Sequence, residues 1–210
     1  MKIDRLVLGE FETNCYVLRN NDQASECLII DTGLDIRPLL EFLDEHKLTP
    51  SAVILTHGHV DHITGVGDLR DRFQKIEVYI HKLDAELLTD SVGNLSFMSG
   101  RSFSTDEADH LVDEPETIEK AGIKLRVIHT PGHTQGGICL YCEDDGVIFV
   151  GDTIFAGSVG RTDFPGGDMR GLIENIKTKL FVLPDDTVVY PGHGPKTTIG
   201  REKKGNPFLT

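Results

Sequence analysis

Six consecutive residues, His57-Gly58-His59-Val60-Asp61-His62, place three imidazoles and a carboxylate directly after the apolar run 52–56. Core packing does not ask for such a stretch. Imidazole nitrogen and carboxylate oxygen are ligands of zinc, iron and manganese. At i and i+2, His57 and His59 would leave a strand end on the same side. Asp61 and His62 begin a helical stretch and point elsewhere, so one turn of backbone can serve two adjacent metals. An ordinary polar loop need not be so dense in histidine.

Three later segments share one form, an apolar strand followed by a Gly or Pro turn bearing a single ligand. His133 follows the run 123–128, Asp152 follows 147–151, and His193 follows 187–190. Loops at one edge of a rigid sheet gather convergent polar groups in this way. A lone Asp or His in a turn is ordinarily a cap or a solvated side chain. Repeated at successive strand ends, the pattern reads as one shared site.

The elements that must position these groups are visible in outline. Alternating strands run to Ile30, with a turn near Asn20-Asn21-Asp22. Residues 35–46 have helical spacing through Ile36, Leu39, Leu40 and Leu43, with Pro38 tolerable in the first turn. A strand then leads into the histidine motif, a helix spans 62–73, a strand 77–80, and a short helix 82–88. Residues 89–105 have no periodicity. Strands dominate 123–150, a helix covers 169–180, and the last strand is 188–190. With no internal linker or repeat, one domain over 1–210 is expected. Two face-to-face sheets with helices outside fit this order, although periodicity alone does not select that layout among α/β folds.

Composition narrows the partners. The 210-residue chain carries a net charge of −13, which argues against nucleic acid, whose recognition needs a basic face. No apolar run reaches the roughly 18 residues of a membrane span, and Met1-Lys2-Ile3-Asp4-Arg5 lacks the hydrophobic segment of a signal peptide. A cytoplasmic protein without a membrane partner is expected. Cys139 and Cys142 have CxxC spacing but lie in a strand-like run where i and i+3 face opposite sides, so buried thiols are expected there and at Cys15 and Cys27.

On the His57–His62 motif with His133, Asp152 and His193, the chain resembles the metallo-β-lactamase superfamily from end to end. Gly160-Arg161-Thr162-Asp163-Phe164-Pro165 and the tail Thr198-Ile199-Gly200-Arg201-Glu202 to Asn206-Pro207-Phe208-Leu209 resemble its glyoxalase II (hydroxyacylglutathione hydrolase) branch, specifically the short bacterial members. The resemblance implies an α/β fold, the αββα sandwich of two mixed sheets. It implies two divalent ions, zinc first, with iron or manganese as alternatives. His57, His59 and His133 would hold one ion, Asp61, His62 and His193 the other, and Asp152 would bridge them. Asp61 would also orient the attacking hydroxide, a catalytic role. In the family an acid at the position of Asp31 sits beside the metals, which implies an outer partner holding a histidine ligand; capping the next turn is the alternative. Thr56 would act similarly or merely end its strand.

Charge explains what such a centre can do. Two divalent cations bring about +4, while Asp61, Asp152 and a hydroxide return about −3, and metal binding lowers the pKa of water to about 7. The centre could polarise a carbonyl, supply the nucleophile and stabilise the oxyanion. The function implied is hydrolysis of a small-molecule thioester such as S-D-lactoylglutathione. A mononuclear iron persulfide dioxygenase shares the Gly160–Phe164 segment, and hydrolases of lactones, β-lactams or phosphoesters share the centre.

Around the site, Arg161 could fork a substrate carboxylate, or it could bind Asp163 or Asp168 within its own loop. Phe97, Met98 and Phe103 could form a lid or staple their loop to the core. His46, His81 and His110 read as surface or helix-end residues, and His129 as ambiguous. Larger glyoxalase II enzymes carry an added helical domain that helps grip glutathione. With the sequence running to Thr210 and the branch's lysine-tyrosine pair missing, a weaker grip is expected.

Overall fold

The computed structural model describes residues 1–210, the side chain of Ser99 excepted. Its first half comprises β1 (Lys2–Leu8), β2 (Thr13–Arg19), β3 (Glu26–Ile30), α1 (Arg37–Glu45), β4 (Thr49–Ile54), α2 (Val60–Ile63), α3 (Val66–Arg72), β5 (Glu77–His81) and β6 (His110–Val112). The second half comprises β7 (Thr117–Lys120), β8 (Ile123–His129), β9 (Ile138–Cys142), β10 (Val147–Gly151), the hairpin β11 (Ile154–Phe155) and β12 (Ser158–Val159), and α4 (Met169–Asn175). A wider helical turn, Ile176–Leu180, continues α4 before β13 (Val188–Pro191), β14 (Thr197–Thr198) and α5 (Ile199–Gly205).

Strands β1 to β6 form one sheet in sequential order, antiparallel through β3 and parallel from β3 to β6. The other sheet runs β14-β13-β10-β9-β8-β7, with β10 and β13 parallel and the remaining pairs antiparallel. Both sheets are mixed. Leu39, Leu43 and Leu69 of the helices pack with Val17, Ile29 and Val53 outside the first sheet. Leu28 and Ile54 meet Leu125, Leu140 and Phe149 between the sheets. Outside the second sheet, Ile148 and Val150 meet Leu172 and Ile176. This is the αββα sandwich, with apolar material on both faces of each sheet, which is why the strands read as unbroken apolar runs.

Alternation along the strands assigns side chains to layers. Val147 and Phe149 of β10 enter the inter-sheet core, while Ile148 and Val150 turn towards α4. Cys139 and Cys142 likewise fall in different layers, and all four thiols are free and buried. Burial pushes Cys27 up to about 12 and Cys139 up to about 11, so these thiols stay protonated.

Several elements differ from the sequence reading. The helix read at 62–73 is two, α2 and α3, separated at Thr64-Gly65. There the Gly65 amide donates to Thr32 Oγ1 at 3.0 Å, and any Cβ would strike Ile36. The helix read at 82–88 is a single tight turn, Ala85–Leu88. The short strands β6, β7, β11, β12 and β14 and helix α5 leave no periodic signal in the sequence. His81, read as a surface residue, is buried, and its ring stacks on His129 with centroids 4.1 Å apart. His46 and His110 are exposed.

Strands β3, β4, β8, β10 and β13 all end at one edge of the sandwich. Asp31, His57, His133, Asp152 and His193 follow those ends within a few residues. The sheets therefore carry the donors of both halves to one place.

Candidate metal centre

At that edge stand three groups, within each of which the donor atoms lie no more than 4.8 Å apart: His57, His59 and His133; Asp61, His62 and His193; and His57, His62 and Asp152. Asp152 stands between the first two groups. Its Oδ1 is 3.6 Å from His62 Nε2, and its Oδ2 is 3.7 Å from His133 Nε2 and 3.5 Å from His193 Nε2.

Four of the five rings, His57, His62, His133 and His193, are turned by a bond on the far side. His62 Nδ1 donates to Asp31 Oδ2 at 2.9 Å. His57 Nδ1 donates to Thr56 Oγ1 at 3.1 Å, and that hydroxyl donates to Asp31 Oδ2 at 2.8 Å. His133 Nδ1 donates to the Arg161 carbonyl at 2.6 Å, and His193 Nδ1 to the Phe11 carbonyl at 2.9 Å. In these four rings, outward donation leaves the inner nitrogen as a lone-pair acceptor whenever the ring is neutral. Among the described residues, His57 Nε2, His62 Nε2 and Asp152 Oδ1 are buried without a hydrogen-bond partner. His59 Nδ1 lies 2.9 Å from His133 Nε2. Buried acceptors without hydrogen-bond partners are costly, and nitrogen and carboxylate oxygen gathered together suit a divalent metal. The donor set fits such an ion.

The electrostatics differ from ring to ring. Burial, reinforced by neighbouring rings, drives His57 well below the usual histidine range, and burial lowers His59 to about 3. Burial also opposes charge on His62, but the carboxylates of Asp61, Asp31 and Asp152 outweigh it and raise this ring to about 10. Burial opposes charge on Asp61 too, yet His62 and His193 hold its carboxyl well below the ordinary range.

Other residues build the centre without a signal in the sequence. Fully buried Asp84 accepts from the Gly58 amide at 3.0 Å and the Gly136 amide at 2.6 Å, so it ties the His57–His59 loop to the His133 loop. Thr13 Oγ1 donates to Asp61 Oδ2 at 3.0 Å. The His193 loop is docked on the opposite sheet by Tyr16 and Asn14, which donate to the Pro191 carbonyl at 2.6 and 2.8 Å. Gly192 carries no side chain for a packing reason, because a Cβ there would collide with Asp152 Oδ1 and His62.

A cavity of about 340 Å³ opens over the donors. Arg161 faces it, but its guanidinium forks Asp163 at 2.9 and 2.8 Å and lies 4.4 Å over the Phe164 ring. An anionic ligand would have to share the guanidinium with Asp163. Of the three apolar loop residues, Met98 lines the cavity, Phe103 packs on the first-sheet core, and Phe97 is exposed. The loop is anchored by Asn94, whose carbonyl accepts from the Val60 amide at 2.8 Å and whose side chain bonds the Leu87 and Phe103 carbonyls. The tail motif has a mechanical role. Glu202 accepts from the Gly157 amide at 2.9 Å, and Asn206 donates to the Ser158 carbonyl at 2.9 Å, clamping the β11–β12 hairpin.

Residues 8–193 match the metallo-beta-lactamase superfamily. A probable metallo-hydrolase of Bacillus subtilis is 36% identical, with 100% of this chain and 98% of that protein covered. The hydroxyacylglutathione hydrolase GloC of Haemophilus influenzae is 34% identical over 100% of this chain and 98% of its own. Among solved structures, the BLEG-1 B3 metallo-beta-lactamase superposes with a TM-score of 0.95 at 42% identity, covering 100% of both chains. TTHA1623 in a di-iron-bound form gives 0.86 at 33% identity, covering 98% of this chain and 100% of that one. The chain thus belongs to the metallo-beta-lactamase superfamily of metallo-hydrolases, and divalent metal is the cofactor class that its donors fit.

Proposed function

We propose that this protein is a thioester hydrolase of the glyoxalase II type, acting on S-D-lactoylglutathione or a related acyl thioester. His57, His59 and His133 would hold one divalent ion, Asp61, His62 and His193 a second, with Asp152 between them and zinc the first choice of metal. Bound there, the ions would supply a Lewis acid and lower the pKa of water towards neutrality.

The observation that carries the reading is what the cavity lacks. Among the described residues lining it, every titratable group except Arg161 belongs to the donor cluster. No side chain is left over as a general acid. A leaving group that needs protonation, such as an amine, is poorly served, whereas a thiolate departs readily because thiol pKa values lie near 8.5. In the net reaction, water oxygen bonds to the carbonyl carbon and gives up its two protons to solvent, the C–S bond breaks, and the sulfur leaves with the bonding pair, so that a carboxylate and a thiolate are formed. Asp61, with Oδ2 steadied by Thr13, would orient the attacking water. Phe155 and Phe164 would keep bulk water off the carbonyl. The name carried by the Haemophilus influenzae relative, a protein that this chain covers almost completely, supports the same substrate class.

The test is a side-by-side assay of metal-replete protein with S-D-lactoylglutathione, a lactone, a β-lactam and glutathione persulfide. Thiol release without oxygen consumption supports the proposal. Oxygen-dependent sulfite formation without thioester cleavage, or turnover of the lactam alone, overturns it.

A further inference from the structure

We infer that the cavity is an acyl-binding chamber selective for uncharged, apolar acyl groups, so that medium-length straight-chain acyl thioesters are better substrates than polar or anionic ones. This deepens the hydrolase reading and rests on it only for the catalytic arm of the test.

Away from the donors, the wall is made by Phe11, Leu95, Met98, Phe155 and Phe164. The one cation among the described lining residues, Arg161, is already forked by Asp163 and laid over Phe164. A carboxylate on the acyl chain would meet only a cation whose charge Asp163 already offsets, whereas methylene groups would meet ring faces and a thioether. Its volume of about 340 Å³ lies within the range of chambers that enclose small ligands.

The wall is built rather than incidental. Phe155 sits on the hairpin clamped by Glu202 and Asn206. Phe164 presents an edge to His59, with ring centroids 5.6 Å apart. Phe11 is fixed by its carbonyl, which accepts from His193 at 2.9 Å. Leu95, in the left-handed backbone region at φ 64°, is nevertheless buried against this space. Met98 is 47% exposed and Phe11 38%, so apolar surface stands at the cavity mouth with no protein covering it. Surface of this kind, ordered by the bonds around it, gains affinity by covering apolar ligand at little ordering cost.

The experiment titrates metal-loaded protein calorimetrically with straight-chain carboxylates from acetate to octanoate, the acids that hydrolysis would release. Affinity should rise about fourfold per methylene until the chamber fills, and butyrate should bind more tightly than succinate. In Met98→Gln the octanoate-to-acetate affinity ratio should fall at least tenfold with metal content unchanged. A flat series, or preference for succinate, overturns the inference whatever the variant does. Thioesters of N-acetylcysteamine with the same acyl groups form the kinetic arm, and kcat/KM should follow the same order. A steep binding series without thioester cleavage would leave the chamber standing and remove the hydrolase reading. Cleavage with no chain-length dependence would do the reverse.

Discussion

Asp84 ties two donor-bearing loops together, and Asp84→Asn separates that tether from simple bulk. The carboxylate accepts from Gly58, between His57 and His59, and from Gly136, three residues past His133. The site is closely packed, since a Cβ on Gly136 would stand 2.6 Å from the Asp84 amide nitrogen. An amide of the same shape keeps one acceptor and turns an N–H towards the other backbone N–H. Leaving that buried donor unpaired costs about 1–3 kcal/mol, or about 2–12 °C in Tm for a chain of this size. An opposing effect reduces this figure. Burial raises the folded pKa of Asp84 above the ordinary carboxylate value of 3.8. Its ionisation therefore destabilises the fold as pH rises from that value through the raised one, and the neutral amide is spared this cost. A buried charge that costs stability at neutral pH points to a positioning role. The expected result is a Tm loss below the full range, with metal affinity lowered about 10–100-fold, as is usual when a partner behind a ligand is removed. Differential scanning fluorimetry and competition with a chromophoric chelator measure the two. Wild-type metal affinity in Asp84→Asn would refute the tether, even if Tm fell.

Other predictions follow from the same geometry. His62, raised to about 10 in the metal-free cluster, carries a proton at pH 7.5 that metal must displace; calorimetry in buffers of different ionisation enthalpy should show proton release on metal binding, and no buffer dependence would contradict the shift. By the sign of that shift, the stability His62 gives metal-free protein is complete below its ordinary value of 6.5 and lost as pH rises through about 10. Asp152→Ala should lose metal from both positions, because its two oxygens face both donor groups; retention of two ions by elemental analysis would remove it from the bridging position. Gly192→Ala should fold but bind metal poorly, since its Cβ displaces Asp152 or His62, and full occupancy would show that the loop can yield. Asp163→Ala should free Arg161 and lower KM for a succinyl thioester relative to a butyryl one, whereas an unchanged ratio would confine Arg161 to its loop.

What could be read from the sequence was what adjacent residues encode. His57, His59, Asp61 and His62 stand out because their types are improbable together, and His133, Asp152 and His193 because each follows an apolar strand in the same way. Asp84 and Thr13 were invisible for a physical reason. Each acts on a group far along the chain, 26 and 52 residues away for Asp84 and 48 for Thr13, and a lone Asp or Thr near a turn looks like any other. His81 was misread because its companions, Asp113 and His129, are brought to it by β5–β6 pairing and by stacking of the two sheets. Strand β6 has three residues and β7 four, too few for alternation to register, and α5 spans only seven, opened by the Thr198 cap on the Arg201 amide. The break between α2 and α3 depends on the closeness of Ile36 and Thr32 to Gly65, which helical spacing does not reveal.

Asp31 shows how the two donor groups become one centre. The residue adopts φ 56°, in the left-handed region that a non-glycine residue enters at a cost. That conformation turns the chain at the end of β3 and aims a buried carboxylate along the ends of the neighbouring elements. Oδ1 accepts from the Thr56 amide at 2.8 Å, while Oδ2 accepts from the Thr56 hydroxyl at 2.8 Å and from His62 Nδ1 at 2.9 Å. Because Thr56 Oγ1 spends its proton on Asp31, it can only accept from His57 Nδ1, so His57 must present Nε2 inwards. One carboxylate thus orients His62 directly and His57 through a hydroxyl, and these two rings are the ones that meet beside Asp152 while each also belongs to a triad without the other. The strain at Asp31 is held by the parallel pairing of β3 with β4, which fixes the start of the His57 loop relative to it. Backbone register, a strained turn and one shared acceptor are therefore a single device, in which the geometry of either donor group depends on the other.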